Sequence, residues 1–329
     1  MKSITLLLAS FVLFSFSFNV FAWGRRGHAI VCQTAAYLAS QDQPQKEEPY
    51  FLKVHSFDLG YYCNVPDIIW KRPATYKLET SNHFMDLEPF DKKFDAKTIF
   101  ADSSPYRMSR VEFDEKHKDL PEKYGRSWWR IQELDKKLSE VTEKLKKGEL
   151  KGDDLKTAQA EWLMLAGVIG HYIGDLAMPL HVSENYDGQM TDQKGIHHYF
   201  EEALVDELFL QSHLSLQESV YKRAISLWKA YEKKAKGKDL LTLAIELSKD
   251  SQNNVDRMLK IDKKQGRKSL KKSAQNYREL IVDRLAKGAL LQAQMMSSHL
   301  GWEFDGKKFY NFIETPAYIE APKSSLPKK

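Results

Sequence analysis

The sequence predicts an all-α fold, built as a single large helical domain. Apolar residues recur at three- and four-residue spacing in several long stretches, while strand signals are scarce. No period of about 20–50 residues repeats, which excludes a solenoid. No linker with a shifted composition divides the chain, and 329 residues fit one large core.

Residues 1–3 are short and cationic, residues 4–18 are apolar, and Val20, Phe21 and Ala22 end in a small residue. This pattern predicts a secretory signal peptide over 1–22, cleaved after Ala22, and a secreted or periplasmic protein. The apolar run is short for a membrane span. Residues 27–40 read as a helix with Ile30, Val31, Ala35 and Leu38 on its apolar side. The stretch from about 58 to 106 is the least regular, with Pro66, Pro73, Pro89 and Pro105 among many aromatics. Long loops in a compact domain are often functional. Residues 124–147 carry Trp128, Ile131, Leu134, Leu138, Val141 and Leu145 at helical spacing. Residues 154–176 are apolar nearly all round, which predicts a central, buried helix. Pro179 ends or bends it. A polar loop over 184–194 leads to a helix at 197–213. Further helices are expected at about 216–234, 238–259 and 273–299. The folded domain is expected over 23–302, with an irregular tail at 303–329.

Charge and cysteine content narrow the classes. The chain has 50 basic and 45 acidic residues, a formal net charge of +5. That is not the strong basic field of an electrostatically driven duplex binder. Cys32 and Cys63, in an exported chain, are candidates for one disulfide. Neither has a second cysteine nearby, as a zinc site would need.

Histidines and carboxylates concentrate between residues 171 and 201. His171/Asp175 and His197/Glu201 are spaced i, i+4, which on a helix puts both side chains on one face. Imidazole nitrogen and carboxylate oxygen are the ligands of hydrolytic zinc sites. An ionised Asp175 inside an apolar helix is costly unless paired or metal-bound. A buried His–Asp hydrogen bond is the plainer alternative. His197/Glu201 alone would suit an exposed helix, and His198 points about 100° away from its neighbour. His55, His117, His213 and His299 lack a carboxylate at useful spacing and read as structural.

Taken together, Trp23-Gly24-x-x-Gly27-His28 after the signal peptide, Asp67, His83-Phe84-x-Asp86, His171-x3-Asp175-x5-His181 and His197-x3-Glu201 resemble the trinuclear-zinc phosphodiesterase superfamily. That superfamily contains fungal-type single-strand-specific zinc nucleases and bacterial zinc-dependent phospholipases C. The resemblance covers about residues 23–205. It implies an all-α fold with three zinc ions at the bottom of a cleft. It assigns Asp67, His83, His171 and Asp175 to one zinc, and His181, His197 and Glu201 to a second. Trp23, through a free α-amine and its carbonyl, would hold the third with His28, and Asp175 would bridge. Asp67 would also orient the attacking water, with no protein nucleophile. Phe84 would stack a base and Asp86 read its edge. The residue types agree: three carboxylates offset clustered Zn²⁺ charge, and five histidines supply nitrogens.

The two branches share chemistry but not substrate. Trp23 and His28, five apart, resemble the nuclease branch, whereas His197-x3-Glu201 resembles the phospholipase form. Trp70 stands where an Arg is usual, with Lys71 and Arg72 beyond, and Ala177 where a His is common. The resemblance therefore implies a secreted zinc nuclease acting on single-stranded DNA or RNA, with 3′-nucleotides as further substrates and 5′-phosphates as products. A zinc-dependent phospholipase C acting on phospholipid is the alternative. A secreted zinc-binding helical protein without activity is the non-enzymatic one. No stable protein partner is implied.

Overall fold

The first turn of helix α1 (Gly24–Ala39) starts from Trp23, whose carbonyl accepts the Gly27 N–H at 3.1 Å. The computed structural model describes residues 23–40, 47–211, 213–302 and 315–323. The expected signal peptide and most of the expected tail lie outside the described residues. After α1 come α2 (Glu47–Val54) and α3 (Ser56–Tyr62), then a π-turn at Pro66–Trp70. Next are α4 (Tyr76–Glu79), a 3₁₀ turn at Thr80–His83, α5 (Leu87–Lys93), α6 (Ala96–Ile99) and α7 (Arg110–Lys116). The long helices α8 (Ser127–Lys146) and α9 (Gly152–Ala177) come after these. A 3₁₀ turn at Pro179–Val182 leads to α10 (Ile196–His198), a π-turn at Tyr199–Ala203 and α11 (Leu204–Gln211). The last described helices are α12 (His213–Ala235), α13 (Leu240–Gln252), α14 (Val255–Gln265) and α15 (Leu270–Ser298).

Among the described residues there is no strand, only one isolated bridge between Met85 and Gly125. No described helix is long and apolar enough to cross a membrane.

Helix α9 is the central element, as its apolar sequence predicts. From Trp162 onward it is almost wholly buried, and it packs against α1, α3, α8, α13 and α15. Two glycines set how closely α1 approaches. A Cβ on Gly170 would collide with Cys32 Sγ, and one on Gly174 would lie 2.9 Å from His28 Nδ1. Cys32 and Cys63 form a disulfide that ties α1 to the end of α3 over this face. Met178 takes the extended backbone that a residue before proline prefers, which stops α9. Pro179 then opens the next turn, where its missing N–H is not needed.

Three expected elements differ in detail. The stretch at 58–106 is a run of short helical pieces rather than open loop, because prolines and glycine break helices without preventing single turns. The helix expected at 238–259 is two helices, split at Asn253 and Asn254. The Asn254 side chain donates to the Asp250 carbonyl at 2.8 Å, satisfying an end group of α13. The helix expected at 197–213 is interrupted by a π-turn at Tyr199–Ala203, between α10 and α11.

Candidate metal centre

Two faces of the fold build the centre. The inner face belongs to α1 and α9. His171 and Asp175 lie one turn apart on α9, both fully buried. Because Gly174 has no side chain, His28 from α1 reaches the same spot. His28 Nε2 is 3.4 Å from Asp175 Oδ1, and the His28 and His171 rings stack with centroids 3.9 Å apart. Trp23 sits beside them, its indole N–H donating to the Gly174 carbonyl at 2.7 Å.

The outer face is made of short, irregular turns. The Lys71 N–H bonds the Pro66 carbonyl five residues back at 2.9 Å, and this π-turn presents Asp67. The Leu204 N–H bonds the Tyr199 carbonyl in the same way, and that turn presents Glu201. Single π-turns are rare and frequent at functional sites. Here each carries a candidate carboxylate ligand. His83 ends the 3₁₀ turn at Thr80–His83. Its Nδ1 is 3.1 Å from Asp175 Oδ2, 3.6 Å from Asp67 Oδ1 and 2.9 Å from His171 Nε2. His181 comes from the turn that Pro179 starts. Its Nε2 is 3.0 Å from His197 Nε2 and 3.6 Å from Glu201 Oε2, and His197 Nε2 is 2.9 Å from that same oxygen.

These side chains form three groups able to hold a cation: His28, His171 and Asp175; Asp67, His83 and His171; and His181, His197 and Glu201. The first two share His171, and Asp175 lies within 4.0 Å of four histidines, His28, His83, His171 and His181. Every histidine and carboxylate expected as a ligand from the sequence is in one of these groups. The Trp23 carbonyl, expected as a further donor, accepts the Gly27 N–H. It keeps a second lone pair.

The donor set fits zinc. His171, His181 and His197 direct Nδ1 to the carbonyls of Cys63, His83 and Tyr186 at 2.6–2.7 Å. Donating Nδ1–H there leaves Nε2 as a bare acceptor pointing into the site. Two such lone pairs, on His181 and His197, then face each other at 3.0 Å. That arrangement is repulsive unless a proton or cation serves both. Both ring nitrogens of His28, Asp67 Oδ1, Asp175 Oδ1 and both Glu201 oxygens are buried without a hydrogen bond among the described residues. Buried polar atoms are normally paired. Nitrogen and carboxylate oxygen in this mixture are zinc ligands.

Electrostatics point the same way. Burial, and the neighbouring His171, hold the His28 imidazole well below its ordinary range. Burial also lowers His83, with Lys71 adding to it, and His171, with His83 adding to it. Burial lowers His181 as well. Neutral imidazole is the form that binds metal. Burial also lowers His197, but the Glu201 carboxylate, the Tyr186 carbonyl and Asp187 together outweigh it and the net shift is upward. Asp175 is raised well above the carboxylate range, chiefly by burial and then by Asp67. Without positive charge nearby this carboxylate resists ionisation.

The segment after His83 carries the expected substrate residues. It runs extended, pinned by Met85 N–H to the His181 carbonyl and Asp86 N–H to the Tyr124 carbonyl, both at 2.9 Å. Gly125, with φ +91°, is required opposite it, since a Cβ there would strike the Phe84 carbonyl. Phe84 is half-buried. Asp86 is buried, and burial with the Glu88 and Glu184 carboxylates pushes it up to about 8.

Two residues of the centre were not expected as site residues from the sequence. Lys71 is nearly buried, its Nζ 3.5 Å from Asp67 Oδ1. Glu79 is fully buried, its Oε1 3.5 Å from His83 Nε2. Glu79/His83 and Asp67/Lys71 are both spaced i, i+4, the signal that marks the other pairs. Two histidines read as unpartnered do have carboxylates: His55 Nδ1 is 2.6 Å from Asp58, and His299 Nε2 is 2.8 Å from Asp135. Both lie outside the three groups. His198 pairs with Glu202 at the surface.

The sequence profile of a family described as S1/P1 nuclease matches residues 23–300. No curated protein matches the chain.

Proposed function

The chain belongs to the S1/P1 nuclease family, and from that premise we propose that it is a secreted zinc nuclease. It hydrolyses phosphodiester bonds of single-stranded DNA and RNA, takes 3′-nucleotides as well, and leaves 5′-phosphates. The observation that carries this reading is the convergence of three ligand groups around Asp175, with Phe84 on the segment that leaves His83.

In this reading Asp67, His83, His171 and Asp175 would hold one zinc, and His181, His197 and Glu201 a second. His28, Asp175 and the Trp23 α-amine and carbonyl would hold the third. Bound zinc acts as a Lewis acid and lowers the pKa of water toward neutrality. The chain's own residues do the rest. Asp67 is slightly exposed and accepts a hydrogen bond from the attacking water, orienting it. The Lys71 ammonium, on the same side, faces the anionic oxygens of the scissile phosphate. The Phe84 ring stacks a base, a contact worth about 1–3 kcal/mol. Asp86, largely protonated at neutral pH, both donates to and accepts from the base edge.

The amino-terminal ligand requires cleavage after Ala22, since only then does Trp23 carry an amine. Chains beginning at Trp23 and at Ala22, each loaded with zinc, test the point. Equal zinc content and kcat would end the amino-terminal ligand.

The substrate is tested with cleaved protein on single-stranded DNA, RNA, 3′-nucleotides and phosphatidylcholine, with and without chelator. Chelator-sensitive turnover of the nucleic acids is expected. Glu201, the residue that favours the phospholipase reading, gives the last substrate its place. Preferred turnover of phosphatidylcholine would replace the nuclease reading.

A further inference from the structure

The family match ends at residue 300, yet residues 315–323 dock behind the metal centre. The Trp70 indole N–H donates to the Pro316 carbonyl at 3.2 Å, and the Tyr318 ring meets Trp70 edge-on at 5.6 Å. Arg130 Nη2 donates to the Ile319 carbonyl at 2.7 Å, and its guanidinium lies 5.8 Å from the Tyr318 ring.

These contacts fall on the groups that back two candidate ligands. Trp70 closes the π-turn that presents Asp67. Arg130 is fully buried and lies 3.5 Å from Glu79, which also accepts the Tyr172 hydroxyl. Glu79 in turn faces the outer nitrogen of His83 at 3.5 Å, opposite the nitrogen that points into the site. A carboxylate on the far side of a ligating imidazole fixes its tautomer and orientation. The Tyr318 hydroxyl is buried without a hydrogen-bond partner among the described residues, and the Glu79 carboxylate is near enough to push its pKa up after burial does. The Arg130 and Tyr172 contacts hold this buried carboxylate in place. Among the described residues, the other two groups show no contact with this segment. His181 and His197 are oriented by backbone carbonyls, and His28 by packing on α9.

We propose that residues 315–323 form a strap that completes the support of the Asp67, His83 and His171 group, with Glu79 and Tyr318 as positioning residues. The ion held there then depends on the strap, whereas the ions at the other two groups do not. This rests on the zinc reading above.

The test uses the full chain, with Tyr318→Phe, Tyr318→Ala and Glu79→Gln. Tyr318→Phe keeps the ring contacts and loses only the hydroxyl, so it leaves the fold intact. Zinc per chain is measured after a graded chelator challenge, with thermal stability in parallel. Loss of such an outer partner typically costs about 10–100-fold in metal affinity. Glu79→Gln should fall in that range and the Tyr318 variants toward its low end. One ion should leave at chelator concentrations where the parent keeps all of its zinc. Variants that melt earlier yet release zinc along the parent curve would overturn the strap as a metal-site element. Uniform loss of every ion would overturn its selectivity. A parent chain that binds no zinc would remove the zinc reading and the strap with it.

Discussion

His28, His171 and Asp175 stand on two long helices, whereas Asp67, His83, His181 and Glu201 stand on π and 3₁₀ turns of four or five residues. The inner set is wholly buried, and the outer set keeps slight exposure at Asp67, His83 and His181. The difference separates two tasks. Long helices give a rigid floor whose spacing is set by backbone geometry and by glycines that admit a neighbouring helix. Short turns give carboxylates and imidazoles at angles that a regular helix does not offer, on the side a substrate reaches.

The largest effect is expected at the junction of the two regions. Asp175→Ala should lower turnover of a small phosphodiester by more than about 100-fold, beyond the usual loss of an outer partner. It should also remove more than one zinc, since Asp175 faces histidines of both regions. An outer-region change, His197→Ala, should remove only one. Elemental analysis beside kcat checks both, and full zinc in Asp175→Ala would break the distinction.

Next in size is Phe84→Ala on the outer side. Loss of stacking worth about 1–3 kcal/mol per base corresponds to about a 5- to 150-fold rise in KM for single-stranded DNA. A small chromogenic diester, with no base to lose, should be unaffected. Equal effects on both substrates would argue for the phospholipase reading.

Gly174→Ala tests the floor. Its Cβ would come 2.9 Å from His28 Nδ1, so α1 must shift. A loss of about 1–3 kcal/mol in denaturant unfolding is expected, the usual cost of overpacking. Unchanged stability would mean that the floor is softer than its packing suggests.

The smallest effect concerns pH at Asp86. Its folded value of about 8 lies above the ordinary 3.8. Its contribution to stability is therefore full below about pH 4 and lost as pH rises through about 8. Between those limits the parent should lose stability relative to Asp86→Asn, with a slope of at most about 1.4 kcal/mol per pH unit. Parallel curves for the two proteins would show that Asp86 is not held neutral.

The inner region was largely legible in the sequence. His171 and Asp175 announce themselves by helical spacing inside an apolar helix, and Pro179 marks where that helix stops. The outer region was legible in its residue types but not its geometry. The periodicity around Asp67 and Glu201 contains no sign of a π-turn, because one extra residue per turn is chosen by the surfaces the turn packs against. Glu79 went unnoticed although its spacing to His83 obeys the rule used elsewhere, since the surrounding stretch looked irregular. The disulfide was a candidate only, because two cysteines 31 residues apart do not state their separation in space.

By itself the sequence determined the features that short-range rules govern. These are the helical class, the ends of the longer helices, and which residue types carry metal chemistry at which spacing. Only the tertiary structure decided which carbonyl orients which imidazole, where Lys71 points, and that residues 316–319 reach Trp70 and Arg130. Those contacts join residues as many as 246 positions apart, as Trp70 and Pro316 are, and the local chain holds no record of them. Their energy comes from burying charged and aromatic groups together, which happens only once the helices have packed.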